Sequence, residues 1–392
     1  MLNFARHLWR RNRSKISIRP FAFSRPLVIL QSDDWGRVGV RDREGYELLR
    51  ANGVRLGEHP YDFYTLETAE DVNALRDMLK RRRDSIGRSA CLVMNFVLAN
   101  LDFGRMAANG SQQIQLLPLS QGLPGNWKRP GLFEAYRQGI ADGVFYPALH
   151  GLTHFCRYAV EQQVSKDGER GALLRTLWKA ETPYIYWRMP WVGYEYCNPE
   201  KPQAGFLSQE TQKDLIHEAT NVFTELFSLA PVSACAPGYR ANRDTHAAWS
   251  DCSIRVAQNG SGAPLAPHMD DCEILNVHRT IDFEPAQREL PIEKYFQLAE
   301  QCFARGVPAI ISVHSINFHS SLKNFREPTL QALDQFLSVL EAKYPNLLYV
   351  HDEDLYEIAT RGKFRTPAGT VSVDVKRDQT SRAHYASGGI DR

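Results

Sequence analysis

Two adjacent carboxylates end the apolar run Leu27-Val-Ile-Leu-Gln-Ser-Asp33-Asp34-Trp35-Gly36. The run is short and rich in branched side chains, so it reads as a buried strand. A regular strand sends successive side chains to opposite faces. Where the strand ends the backbone bends, and both carboxylates can then serve one cleft. One is suited to hold a metal ion while the other acts as general base. An Asp pair that only caps a turn before glycine has the same spelling. The pair therefore needs company before it means chemistry.

That company is present in His150-Gly-Leu-Thr-His154. Imidazoles at i and i+4 share a face if the segment turns helically. Neutral histidine is a good ligand for zinc and similar ions. Two histidines and one carboxylate leave coordination positions for water and substrate, the pattern of a catalytic metal. More candidates end other apolar runs. They are Pro237-Gly-Tyr239-Arg240, then His278 and Asp282, then His314, Asn317 and His319, then His351 and Asp352. In α/β barrels the active site gathers at the C-terminal ends of the strands. Nearly all the His and Asp residues of these runs fall at such ends.

The elements that must position these groups alternate along the chain. After the strand at 27–34 comes a helix at 69–83 with Val72, Leu75 and Leu79 on one face. Strands are predicted at 91–98 and 143–150, with a short helix at 132–140 between them. A helix at 166–180 leads into residues 182–205, an insertion crowded with Tyr, Trp, Pro and Asn that suits a lid or substrate wall. A long helix starts at the N-cap Ser208 and buries Leu215, Ile216, Ala219, Val222, Phe223, Leu226 and Phe227, with Pro231 as its stop. Strands follow at 232–236, 254–258 and 274–278. A helix at 292–305 ends at Gly306. The last elements are a strand at 309–313, a helix at 329–343 and a strand at 347–350. About eight strands separated by helices predict a parallel sheet, open or closed into a barrel. The expected organisation is a basic arm at 1–20, one catalytic domain at 21–360, and a polar, poorly ordered tail at 361–392.

Composition narrows the class. An apolar fraction of 43% and a charged fraction of 23% are those of a soluble globular protein. A net charge of +2 argues against a dedicated nucleic-acid surface. The seven cysteines form no C-x-x-C pair and read as reduced thiols. No run approaches membrane-spanning length, and the first twenty residues lack an apolar signal core. A cytoplasmic site is expected. Arg6, Arg10, Arg11, Arg13 and Lys15 alternate with Leu2, Phe4, Leu8 and Trp9, a pattern suited to weak contact with the inner membrane face or to a solvated arm.

The sequence resembles polysaccharide deacetylases of the NodB-homology type, carbohydrate esterase family four. The matching motifs are Ser-Asp33-Asp34-Trp-Gly, His150-x-x-x-His154, Ala-Pro237-Gly-Tyr239 and Ser-Val-His314, in the family's order between residues 26 and 352. The resemblance implies a distorted parallel (β/α) barrel of about seven or eight strands. It implies removal of acetyl groups from N-acetylated sugars with a divalent metal: zinc first, with cobalt, manganese or nickel as alternatives. It makes Asp33 the general base, Asp34, His150 and His154 the metal ligands, and His314 the general acid. There are departures. Cys235 stands where the family carries arginine, so Arg240 is expected to reach back to the base. Asp282 is the candidate for orienting His314. Trp35 replaces the usual glycine and is expected at the cleft floor. It would join Tyr239, Asn317 and His319 as substrate contacts, with Tyr184, Tyr186, Trp187 and Trp191 as further ring faces for a sugar. Hydrolysis of another amide or an ester, and carbohydrate binding without catalysis, are the alternatives.

Overall fold

The computed structural model describes residues 20–110, 113–166, 168–201, 205–288 and 290–377. Its central strand is the predicted one. Leu27–Trp35 is buried at all nine positions. A strand buried on both faces belongs inside a parallel sheet that is covered on both sides.

In chain order the strands are β1 (Phe21–Phe23), β2 (Leu27–Trp35), β3 (Leu92–Phe96), β4 (Ala99–Leu101), β5 (Leu116–Pro118), β6 (Phe145–Leu149), β7 (Ser233–Cys235), β8 (Val256–Gly260), β9 (His268–Met269), β10 (Leu275–Arg279), β11 (Ile281–Asp282), β12 (Ala309–His314), β13 (Leu348–Tyr349), β14 (Lys363–Thr366), β15 (Gly369–Ser372) and β16 (Val375–Arg377). The main sheet runs β11-β12-β2-β3-β6-β7-β8-β10-β9, with β13 also on β2. Only the short β9 runs antiparallel to its neighbour. The fold is thus mixed α/β around a mostly parallel sheet. Thr280 alone separates β10, which pairs with β8, from β11, which pairs with β12. Residues 275–282 therefore link the two ends of the sheet.

The two-residue period of the strands sorts the side chains into two cores. Val28, Leu30, Leu92, Met94, Ala309, Ile311 and Val313 face out and pack with the helices. Ile29, Val93, Val256, Val277 and Ile310 form a second, inner cluster. Each such aliphatic side chain contributes about 1.5–3 kcal/mol on burial. Two residues further along the same strands the inner positions turn polar. Gln31, Asn95, Gln258, Arg279 and Ser312 are all buried there. One step beyond lie Asp33 and His314.

The helices Ala69–Arg81, Leu132–Ala141, Glu169–Lys179, Gln209–Phe227, Ile292–Ala304 and Arg326–Lys343 occupy the expected places. Ser208 caps its helix as expected, accepting from Thr211 N–H. That helix ends on Ser228 in a left-handed conformation, so it stops before Pro231. Besides Phe103–Ala108 and Arg157–Val164, three more short helices were not foreseen: Arg43–Ala51, Arg243–Asp251 and Asp352–Arg361. They are polar and only nine or ten residues long, and each leans on a side-chain cap, Asp42, Asn242 or His351.

The tail corrects the expectation of poor order at its start. β14 and β15 form a hairpin, and β16 pairs antiparallel with β1. Residues 378–392, and the basic arm as far as residue 19, lie outside the described residues. All seven cysteines are free thiols. Among the described residues, no helix is long and apolar enough to cross a membrane.

Candidate active site

Asp33 is held from three directions. The Arg279 guanidinium donates to both carboxylate oxygens at 2.6 Å, and Asn95 Nδ2 donates to Oδ1 at 2.7 Å. Burial opposes its charge, but Arg279, with His150 and His314 nearby, holds the carboxyl far below the usual carboxylate range. The guanidinium on Asp33 was expected from Arg240. Arg240 forms no ion pair with Asp33. It follows the turn Pro237–Tyr239, where Gly238 and Tyr239 both take left-handed backbone conformations. Arg279 faces inward from β10 instead, beyond the predicted end of that strand.

Asp34 leaves the strand differently. Its φ of 74° turns it out of the strand's alternation. Its Oδ1 lies 3.7 Å from His150 Nε2, 3.3 Å from His154 Nε2 and 3.3 Å from Arg37 Nη1. That buried oxygen has no hydrogen bond. His150 Nδ1 donates to the Cys235 carbonyl at 2.8 Å, which leaves the Nε2 lone pair facing Asp34. Burial lowers the pKa of His150, and that of His154 much further, so both rings are neutral. The donor atoms of Asp34, His150 and His154 lie within 4.8 Å of one another. An orphaned carboxylate oxygen facing two neutral imidazoles fits a divalent metal. Asp33, His150 and Cys235 also converge. That set fits poorly, because the Arg279 guanidinium already engages both Asp33 oxygens and burial keeps the Cys235 thiol protonated.

The two histidines do not sit on a helix. Residues 150–154 form a loop wrapped around Glu195, whose Oε1 accepts from Leu152 N–H and Thr153 N–H at 2.8 Å each. Gly151, at φ 80°, passes against the same carboxylate, and a Cβ there would collide with Glu195 Oε2. The aromatic insertion thus supplies a clamp for the loop that carries His150 and His154.

His314 stands across the cleft, with Nε2 4.0 Å from Asp33 Oδ2. Its Nδ1 pairs with Glu284 Oε1 at 2.5 Å. Burial works against the imidazolium, but Glu284 outweighs it and pushes the pKa up to about 10. Asp282 was expected in this role. It is exposed and pairs with Arg288 at 3.3 Å. Glu284, two residues on, faces the histidine instead. Asn317 is a support and not a substrate contact. It donates to Glu284 Oε2 at 2.6 Å and to the His314 carbonyl at 3.0 Å.

Two other expected substrate contacts are buried. Trp35 is 0% exposed and stacks on Phe318, so it belongs to the core and not to the cleft floor. His319 is 1% exposed, beside Glu67 and Tyr64. Tyr239 is 38% exposed, and its hydroxyl accepts from Arg279 Nη1 at 2.9 Å. It alone of the four candidates faces solvent. His351 caps the helix Asp352–Arg361, and Asp352 lies beneath the site among the polar inner side chains.

Sequence reasoning missed Arg279, Glu284, Asn95, Arg37 and Glu195. Arg279 and Asn95 occupy inner-facing positions near strand ends, so strand parity was the available signal for them; Glu284 lies two residues beyond β11 with the same parity as Asp282, so parity does not separate those two. Arg37 stacks on Tyr64, 4.1 Å from its ring centroid, directly after the Asp-Asp-Trp-Gly turn. Nothing in the sequence marked Glu195.

No family model matches the chain, and no curated protein does. Solved structures similar to it include family 4 carbohydrate esterases, one of them an acetyl xylan esterase, and a CE4-family pseudoenzyme from Bacillus anthracis. A protein assigned as a polysaccharide deacetylase from Mycobacterium smegmatis aligns over 86% of this chain and 91% of its own, at 12% identity and a TM-score of 0.46. A 4-alpha-glucanotransferase from Thermococcus litoralis aligns over 83% of this chain and 39% of its own, at 10% identity and a TM-score of 0.44. A family 4 acetyl xylan esterase from Clostridium thermocellum, solved with a cobalt ion, aligns over 85% of this chain and 91% of its own, at 10% identity and a TM-score of 0.35.

Proposed function

We propose that this chain is a divalent-metal-dependent hydrolase that removes the acetyl group from an N-acetylated amino sugar, in a glycan or glycan precursor. One observation carries the reading. An ionised Asp33 faces a protonated His314 at 4.0 Å, beside three converging metal-type donors. Asp34, His150 and His154 are the residues that would hold the ion. When bound, such an ion acidifies water and polarises an acyl oxygen.

The chain's own groups supply the rest. Asp33, fixed by Arg279, accepts the proton of the attacking water. His314, kept charged by Glu284, gives its proton to the leaving nitrogen. An amine leaves poorly without that proton, so a dedicated acid favours an amide over an ester. Tyr239 and Tyr61 offer rings at the cleft for a sugar. Under the same reading residues 275–282 close the sheet into a NodB-type barrel. Seven free thiols fit a reducing, cytoplasmic setting. The basic arm is suited to weak contact with the inner membrane face.

The test is elemental analysis of the purified protein together with acetate release from N-acetyl and O-acetyl sugars. The expected result is equimolar metal, with acetate released from the N-acetyl compounds in preference. Metal-loaded protein that releases acetate from neither class overturns the reading.

A further inference from the structure

Below Asp33 lies a layer of buried polar side chains that takes no part in proton transfer. Arg279 Nε donates to Gln31 Oε1 at 3.0 Å, and Nη2 donates to Gln258 Oε1 at 2.7 Å. The amide nitrogens of the two glutamines converge on one residue. Gln31 Nε2 donates to Asp352 Oδ1, and Gln258 Nε2 to Asp352 Oδ2, both at 2.7 Å. Asp352 is fully buried and opens the helix Asp352–Arg361. Asn95 completes the mesh with a reciprocal amide pair to Gln258, at 2.8 and 2.9 Å, while also donating to Asp33.

We infer that Asp352 is a positioning residue for the Arg279–Asp33 pair, acting through the amide orientation of Gln31 and Gln258. For catalysis this rests on the base role proposed for Asp33. A guanidinium has only donors, so both glutamines must turn their oxygens to it. Each amide nitrogen then points down and needs an acceptor in a dry interior. Burial raises the Asp352 pKa, yet each of its two carboxyl oxygens accepts one of these N–H groups, so it permits one orientation only. An asparagine there would offer one acceptor and one donor. One glutamine would then flip, set its N–H groups against Arg279, and push the guanidinium off Asp33.

This logic predicts a rescue that packing alone does not. In the pair Asp352→Asn with Gln31→Glu, every donor again meets an acceptor. The new asparagine donates to the new glutamate and accepts from Gln258, and Arg279 Nε keeps its oxygen. The experiment compares wild type, each single variant and the double variant as full-length, metal-loaded protein. Melting temperature, metal content, kcat and KM for acetate release are measured.

Each single variant is expected to melt lower and to lose about 10- to 100-fold in kcat with KM and metal unchanged. The double variant should recover most of both losses. Melting losses that simply add in the double variant overturn the inference. Recovered melting without recovered kcat overturns the positioning role. If wild type releases no acetate, the proposed function fails on its own, and the melting comparison still decides whether Asp352 fixes the pair.

Discussion

Asp33 and Asp34 are neighbours in sequence and equally buried, yet their surroundings are opposites. Asp33 receives three N–H donors at 2.7 Å or less. Asp34 has its nearest partners, the Arg37 guanidinium and the neutral His154 ring, at 3.3 Å and an Oδ1 with no hydrogen bond. Residue type and burial are the same, so the donor set makes the difference. A carboxylate held by three N–H donors is fixed and ionised, with an acceptor site on Oδ2 left for a proton. One with an oxygen that has no hydrogen bond is available to a ligand.

Breaking the Asp34 side should have the largest effect. Asp34→Ala or His150→Ala should abolish bound metal and acetate release together, as a site with three protein ligands loses one. Asp33→Asn should keep the metal and still lose about 10²- to 10⁴-fold in rate. Stoichiometric metal in the Asp34→Ala protein would show that the ligands are misassigned.

On the Asp33 side the next effect is on stability. Arg279→Met strands a buried charge and should cost about 3–5 kcal/mol in urea unfolding. Adding Asp33→Asn should restore much of that loss. If the double variant is no more stable than Arg279→Met alone, the cost comes from packing and not from the stranded charge.

A smaller effect concerns pH. Glu284 raises the His314 pKa from 6.5 to about 10, so the proton stabilises the fold fully below 6.5. That stabilisation is lost as pH rises through about 10. The rate should show an alkaline limb near the same pH. Glu284→Gln should move the limb toward 6.5, and its melting deficit against wild type should shrink from pH 6 to pH 10. A limb that stays in place removes Glu284 from the role. The smallest effects belong to Arg240→Ala and Asp282→Asn. Neither touches the pair, so each should stay within about threefold of wild-type activity, as surface substitutions do.

These contrasts mark how far the sequence could be read. Asp33, Asp34, His150 and His314 stood out because each ends an apolar run, and His154 because it follows His150 by four residues; the α/β alternation follows from hydrophobic period alone. Their supports were harder. Arg279 acts through which face it points to, and parity shifts with a one-residue error in a strand end; Glu284 lies past β11 and shares its parity with Asp282, so alternation does not choose between them. Trp35 looked like cleft lining because it follows the carboxylates, but the bend at Asp34 sends it into the core. The hairpin at 363–372 was missed because its strands are short and mostly exposed, with little apolar alternation to read.

The left-handed backbone at Asp34 has a consequence for how such a chain can change over time. That conformation costs a residue with a side chain about 1–2 kcal/mol, and glycine adopts it freely. Backbone strain by itself would therefore favour glycine at position 34. Against it stands the buried Arg37 guanidinium, 3.3 Å from Asp34 Oδ1, which glycine would leave without its carboxylate. A lineage released from the reaction would therefore have to change residues 34 and 37 together. Along that joint path it would lose its activity and keep its architecture.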